Sequence, residues 1–219
     1  MSDEPGESAA AARLYSAGSD RERLMEAVVR VTAAKGYGAT TAAEVCAAAG
    51  LPATEFQRHF ASKEDCFLAA YGTISDVVVA HVAATFDAAA GEPWPDRVVA
   101  ALRVLLELLA AETEIARVTI VDVASCGEDA RIRHRQALGR FAPFLEQGRE
   151  YAAGGAELPP DTAQFAIGGA AAMVFDEIRA GRGGELPAIL PALAYTVLMP
   201  YLGATAEAEM ARISQRREA

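Results

Sequence analysis

Apolar residues recur along this chain with a helical period and almost nowhere with the strict alternation of a strand. The first such segment runs from Asp20 to Lys35, where Leu24, Ala27, Val28 and Val31 fall at i, i+3, i+4 and i+7 and so share one face. Asp20 is read as its N-cap. Gly36 ends it, with Tyr37 placed to pack back onto it. Thr41 and Glu44 have the T-x-x-E spacing of a capping box, so a second helix is expected over Ala42–Ala49 with Val45, Ala48 and Ala49 turned inward. Gly50 supplies a turn. Pro52 suits the start of a third helix, where its missing N–H would have no partner in any case. That helix is expected to reach Phe60, with Phe56 and Phe60 anchoring one face. Ser62, with Asp65 three residues on, caps a fourth helix whose period passes through Phe67, Ala70, Ile74, Val77 and His81 to about Ala90.

The same period continues beyond the break at Gly91–Pro95. Val98, Leu102, Leu105 and Leu109 form a stripe on Asp96–Glu112, which Leu106 and Leu108 widen. A short helix is expected over Ile115–Ala124. A long amphipathic one is expected over Glu128–Ala153, with Ile132, Leu138, Phe141 and Leu145 inward. Asp161–Ala180 and the apolar Leu186–Leu202 follow. Pro191 and Pro200 should kink or end the latter, and Ala204–Arg217 is a polar terminal helix. The pattern predicts an all-α chain of nine or ten helices. Its expected parts are a polar, disordered tail (1–19), a three-helix helix-turn-helix domain (20–66) and a larger helical domain (67–219).

Composition narrows the class. The chain has 219 residues and is 52% apolar, enough for a sizeable core. No apolar run reaches the ~18 uncharged residues of a spanning helix, and the acidic start lacks the layout of a secretory signal. No membrane association is expected, and the cytoplasm is the expected location. Cys46, Cys66 and Cys126 show no CxxC spacing, so they are read as buried thiols, with neither disulfide, metal nor cofactor expected. The net charge is −10, and Asp20–Asp65 holds six Lys/Arg against seven Asp/Glu. A nucleic-acid reader in this segment must therefore work through where its charges point rather than through their sum.

Three helices in about 40 residues, the second and third joined by a glycine turn, form a helix-turn-helix pattern whose third helix can enter the major groove. The stretch from Gly36 to Tyr71, with Tyr37, Thr40, Thr41, Val45, Ala49-Gly50-Leu51, Phe56, His59-Phe60 and Ser62-Lys63-Glu64, resembles the DNA-binding segment of the tetracycline-repressor (TetR) family. The resemblance covers roughly residues 20–71. It implies a transcription regulator, usually a repressor, that binds a palindromic double-stranded operator as a homodimer and responds to a small-molecule effector. By the same resemblance Thr40, Lys63 and His59 match phosphate contacts, and Thr41 is a DNA contact as well as a cap. Pro52, Ala53 and Thr54 lead the recognition helix toward base edges. Gln57 stands where the family usually has an aromatic residue. It either reads adenine, which Gln can pair bidentately, or lies along the backbone. Arg58 is a further candidate contact.

The resemblance also places the dimer contact on the last two long helices. The candidate residues are Phe165, Gly168, Gly169 and Ala172 on the first, and Leu190, Leu193 and Val197 on the second. The middle helices should enclose an effector cavity. Its candidate lining is His81, Phe86, Trp94, Leu105 and Leu109, then Val121, Asp122, Phe141, Phe144 and Phe175. Such a lining suits an apolar or amphipathic ligand. Two alternatives stand beside this reading. One is a helical enzyme, although no HExxH, GxSxG, Walker-type loop or paired metal spacing occurs. The other is a family member that has lost DNA binding and acts as a protein-interaction module.

Overall fold

The computed structural model describes residues 18–152, 157–208 and 211–212. The chain is all-helical, with no strand among those residues. The first four helices are α1 (Asp20–Lys35), α2 (Ala42–Ala49), α3 (Ala53–His59) and α4 (Lys63–Ala88). Next come α5 (Trp94–Ala111) and the short α6 (Thr113–Ala116). They are followed by α7 (Glu128–Gly139), α8 (Ala142–Glu146), α9 (Thr162–Arg179) and α10 (Leu190–Leu202). The tail expected over residues 1–19 lies outside the described residues up to residue 17. The expected terminal helix is seen as helical residues 205–208 and 211–212.

The chain divides into two compact units. The first holds the described residues through Val77 together with Ala111–Arg133; the second holds Val78–Ala110 and the described residues from His134 onward. The segment after α5 belongs with the first unit because α6 and the turn that follows it pack on α1. There the Arg117 guanidinium donates to the Ala33 carbonyl and pairs with Asp122 Oδ2 at 3.1 Å.

In the first unit Leu24, Val28, Val45, Phe56, Phe60, Cys66, Phe67 and Val118 are buried. Burial pushes the Cys66 and Cys126 thiols up to about 12, so both are packing groups at neutral pH. In the second unit α9 packs on α10. Its core gathers Val82, Phe86, Trp94, Leu145, Ile167, Leu193, Val197 and Tyr201.

Several expected faces and ends move. Ser19, not Asp20, caps α1: its hydroxyl accepts from the Glu22 N–H, and Glu22 reaches back to the Ser19 N–H at 3.0 Å. In α4 the buried face steps by fours after Ile74 toward Val82 and Phe86, which leaves His81 exposed. The expected Ile115–Ala124 helix winds irregularly, as α6, a π-helical stretch Arg117–Val121 and a 3-10 turn Asp122–Ser125. The expected long helix Glu128–Ala153 breaks between Gly139 and Ala142, because Pro143 opens a new helix there. Ile132, expected inside, is exposed. The last apolar helix begins as a 3-10 turn (Gly183–Ile189) before α10, with Pro191 in the first turn of α10 and Pro200 in its last. By length and composition alone, Lys63–Ala88 and Gly183–Leu202 are apolar enough to cross a membrane. Both place buried positions in the cores just described.

Candidate nucleic-acid interface

The helix-turn-helix is built from local signals that agree with one another. The Thr41 hydroxyl accepts from the Glu44 N–H, and the Glu44 carboxylate accepts from the Thr41 N–H at 3.0 Å, closing the box that starts α2. Gly50 ends α2 at φ +66°, a left-handed conformation that a side chain would strain. A Cβ there would also come to 3.1 Å from the Arg23 guanidinium. Pro52 then precedes α3, and Phe56 and Phe60 pack with ring centroids 5.9 Å apart.

Two arginines of α1 hold α2 in place. Arg23 donates to the Ala49 carbonyl at 2.6 Å, and Arg30 donates to the Ala48 carbonyl at 2.5 Å. These carbonyls close a helix C-terminus, the negative end of its dipole, where cations are favoured. Sequence reasoning passed over both arginines. Their spacing of seven on one face of α1 is the signal that marks them, but their targets are backbone atoms, which no residue type announces.

Glu44 also meets Lys35 across the turn. The hydrogen bond from Lys35, then that from Thr41, holds its carboxyl at about 2, below its ordinary 4.5. A depressed folded value stabilises the fold above the ordinary carboxylate range, and this contribution is lost as the pH falls toward 2. Glu44→Gln is therefore expected to lower the unfolding midpoint modestly at pH 7. The gap to the unsubstituted protein should close in acid denaturation series as the pH approaches 2. A gap independent of pH would mean that packing, not charge, carries it.

The structure sorts the sequence-predicted contacts. Pro52, Ala53, Thr54, Gln57 and Arg58 are exposed on or just before α3, and Thr41 is exposed at the head of α2. His59 and Lys63 are half-buried. Thr40 is buried, with its hydroxyl donating to the Gly36 carbonyl at 2.9 Å, so its side chain serves the loop. Lys63 donates to the Tyr37 carbonyl at 2.7 Å and the Thr40 carbonyl at 2.9 Å, and its ammonium stands 4.1 Å from the Tyr37 ring centroid. It thus ties the 37–40 loop to the head of α4. Arg58 is paired with Glu55 at 2.9 Å.

The other predicted sites separate further. Phe86, Phe141 and Phe144 come together in the second unit as ring-on-ring packing, while the Trp94 ring packs on Tyr151 and Tyr201. Trp94 Nε1 donates to the Phe144 carbonyl at 2.9 Å. His81 is exposed, Phe175 is half-buried, and Val121 and Asp122 lie in the first unit. Leu105 and Leu109, with Leu102 and Leu108, form a stripe of half-buried leucines on α5. An open groove of about 450 Å³, lined by Ala89, Glu92, Asp96, Val99, Ala100, Arg103 and Arg212, borders none of the predicted lining residues. On α9, Phe165, Gly168 and Ala172 are exposed and Gly169 is half-buried against Thr196. Leu190, Leu193 and Val197 are buried in the core of their own unit.

A capped, glycine-turned pair of short helices that presents an exposed second helix, on an all-helical chain, defines a helix-turn-helix transcription regulator. Residues 24–70 match the model of the bacterial regulatory proteins of the tetR family, so this part of the chain is a TetR-type DNA-binding domain. No curated protein matches the chain by sequence.

Solved structures resemble it along most of its length. The fatty acid degradation regulator FadR from Bacillus halodurans aligns at TM-score 0.72 and 18% identity, over 85% of this chain and 96% of that one. FadR from Bacillus subtilis, solved with stearoyl-CoA, aligns at 0.66 and 16%, over 83% and 97%. FadR from Thermus thermophilus, a TetR-family repressor solved with lauroyl-CoA, aligns at 0.52 and 19%, over 82% and 90%. At these identities the likeness shows the fold.

Proposed function

We propose that the protein is a ligand-released repressor that acts as a homodimer on a palindromic operator in the cytoplasm. Residues 20–66 are the reader, and 67–219 the effector-binding and dimerising part. The observation that carries the reading is the exposed row Pro52, Ala53, Thr54 and Gln57 on a helix whose opposite side is anchored by Phe56 and Phe60. Two half-sites about one DNA turn apart require two readers related by symmetry. Phe165, at 75% exposure, with Gly168 and Ala172 on the same face of α9, supports that role for the surface. The effector is an amphipathic acyl compound. The half-buried leucine stripe of α5 offers an apolar lining, and two structures of the same fold hold acyl-CoA molecules. A ligand that prefers a conformer with badly spaced readers lowers DNA affinity by its differential binding.

Fluorescence anisotropy with DNA from the gene's own upstream region tests this. Lauroyl-CoA or stearoyl-CoA should release the DNA; insensitivity to every ligand that binds would refute the release mechanism. Lys63→Ala should weaken all sequences alike. Gln57→Ala should cost about 1–3 kcal/mol on the preferred site and relax preference at one base pair. A uniform loss from Gln57→Ala would assign that side chain to the backbone. The DNA-free reading is favoured by one observation: the reader's cations are already engaged, Arg58 by Glu55, Lys35 by Glu44 and Lys63 by carbonyls. Absence of binding at low salt would establish it.

A further inference from the structure

The folded reader assembles a cluster that the sequence keeps apart. Asp20 opens α1, and Glu55 and His59 lie one turn apart on α3. One ligand atom from each lies within 4.8 Å of the other two, and all three residues are half-buried. His59 Nε2 stands 4.0 Å from Glu55 Oε2, too far for a hydrogen bond. Each carboxylate has one oxygen oriented by a guanidinium. Arg23 holds Asp20 Oδ1 at 3.1 Å, and Arg58 holds Glu55 Oε1 at 2.9 Å. The second oxygen of each remains for another partner. Outer-sphere hydrogen bonds of this kind are what fix carboxylate ligands around a metal.

We propose that Asp20, Glu55 and His59 form a site for a divalent first-row transition ion, with Zn²⁺ as the reference, that clamps the start of α1 to the recognition helix. Ligands about 2.0–2.2 Å from such an ion stand roughly 3.3 Å from one another in a tetrahedral centre, so the cluster closes with small side-chain rotations. An imidazole beside two carboxylates selects against Mg²⁺, which keeps water and all-oxygen octahedra. Three protein ligands leave a position open to solvent. Each carboxylate is already paired with one guanidinium, so a bound divalent ion adds net positive charge beside the helix proposed to approach phosphates. That consequence for DNA rests on the operator-binding reading; occupation of the site does not.

Calorimetric titration of the metal-free, full-length protein with Zn²⁺, without DNA, tests the site. One ion per chain is expected, with Mg²⁺ failing to compete. Asp20→Asn, Glu55→Gln and His59→Gln should each weaken binding by about 100-fold or more, at or beyond the upper end of the roughly 10–100-fold that loss of an outer-sphere partner costs. Circular dichroism checks that each variant folds. Should Glu55→Gln fail to fold, Asp20→Asn, at a side chain 44% exposed, carries the same comparison. Absence of stoichiometric binding overturns the proposal. So does Zn²⁺ binding that survives these substitutions, or a loss confined to the two α3 variants. Where the operator is bound, Zn²⁺ should raise affinity for the unsubstituted protein and leave Asp20→Asn unmoved.

Discussion

Trp94→Ala is expected to destabilise the second unit by about 3–5 kcal/mol, the range for removing a large aromatic side chain from a core. Trp94 is 2% exposed and touches other rings on two sides, Tyr151 at 5.5 Å and Tyr201 at 5.1 Å between centroids. Its indole N–H is spent on the Phe144 carbonyl, which would be left unpaired. Gly148 lies so close that a Cβ there would stand 2.3 Å from the indole ring, so the backbone itself is fitted to the tryptophan. Trp94→Phe, which keeps an aromatic ring, should cost clearly less. Urea unfolding followed by circular dichroism measures both, since Trp94 is the chain's single tryptophan and its loss removes the fluorescence signal. A loss below about 1 kcal/mol for Trp94→Ala would show that the ring borders open space, as an effector-lining role requires, rather than filling a core.

Phe165→Asp is expected to leave the fold intact and to lower operator affinity by about 100-fold or more. The side chain is 75% exposed, so the monomer loses little packing. In the proposed dimer it becomes a buried, unpaired carboxylate, which an interface does not tolerate. A separated monomer keeps its reader but loses the second half-site, and linked half-sites add about 10²–10⁴ in avidity. Sedimentation should show the variant shifted to monomer at an unchanged melting temperature. Unchanged dimerisation would move the interface elsewhere, for which Met199 on α10, 45% exposed, is the next exposed apolar residue to examine.

The reader was legible because its signals are local. A T-x-x-E box, a turn glycine and two phenylalanines one turn apart determine α2 and α3 within a residue or so. The same kind of signal marked Ser19 with Glu22 as the cap of α1, yet Asp20 competes for the role by residue type alone. What the pattern misplaced depends on distant packing. The π-helical stretch Arg117–Val121 sits against α1, a contact no local pattern announces. His81 and Val82 are neighbours on one helix, and only the neighbouring helices decide which is inside. Thr40 and Lys63 match phosphate contacts by type and spacing, but the fold engages both with backbone carbonyls. Asp20 is separated from Glu55 and His59 by the rest of α1 and the whole of α2, so no spacing rule joins them.

In the proposed function α3 reads an operator as part of a symmetric dimer. Footprinting the full-length protein on its own upstream DNA, at several salt concentrations, tests it most directly. A protected palindrome with half-sites about 10 base pairs apart is expected. Occupancy should fall steeply with salt as phosphate contacts release counterions. Protection of no site at low salt, or of a site without two-fold symmetry, would contradict it.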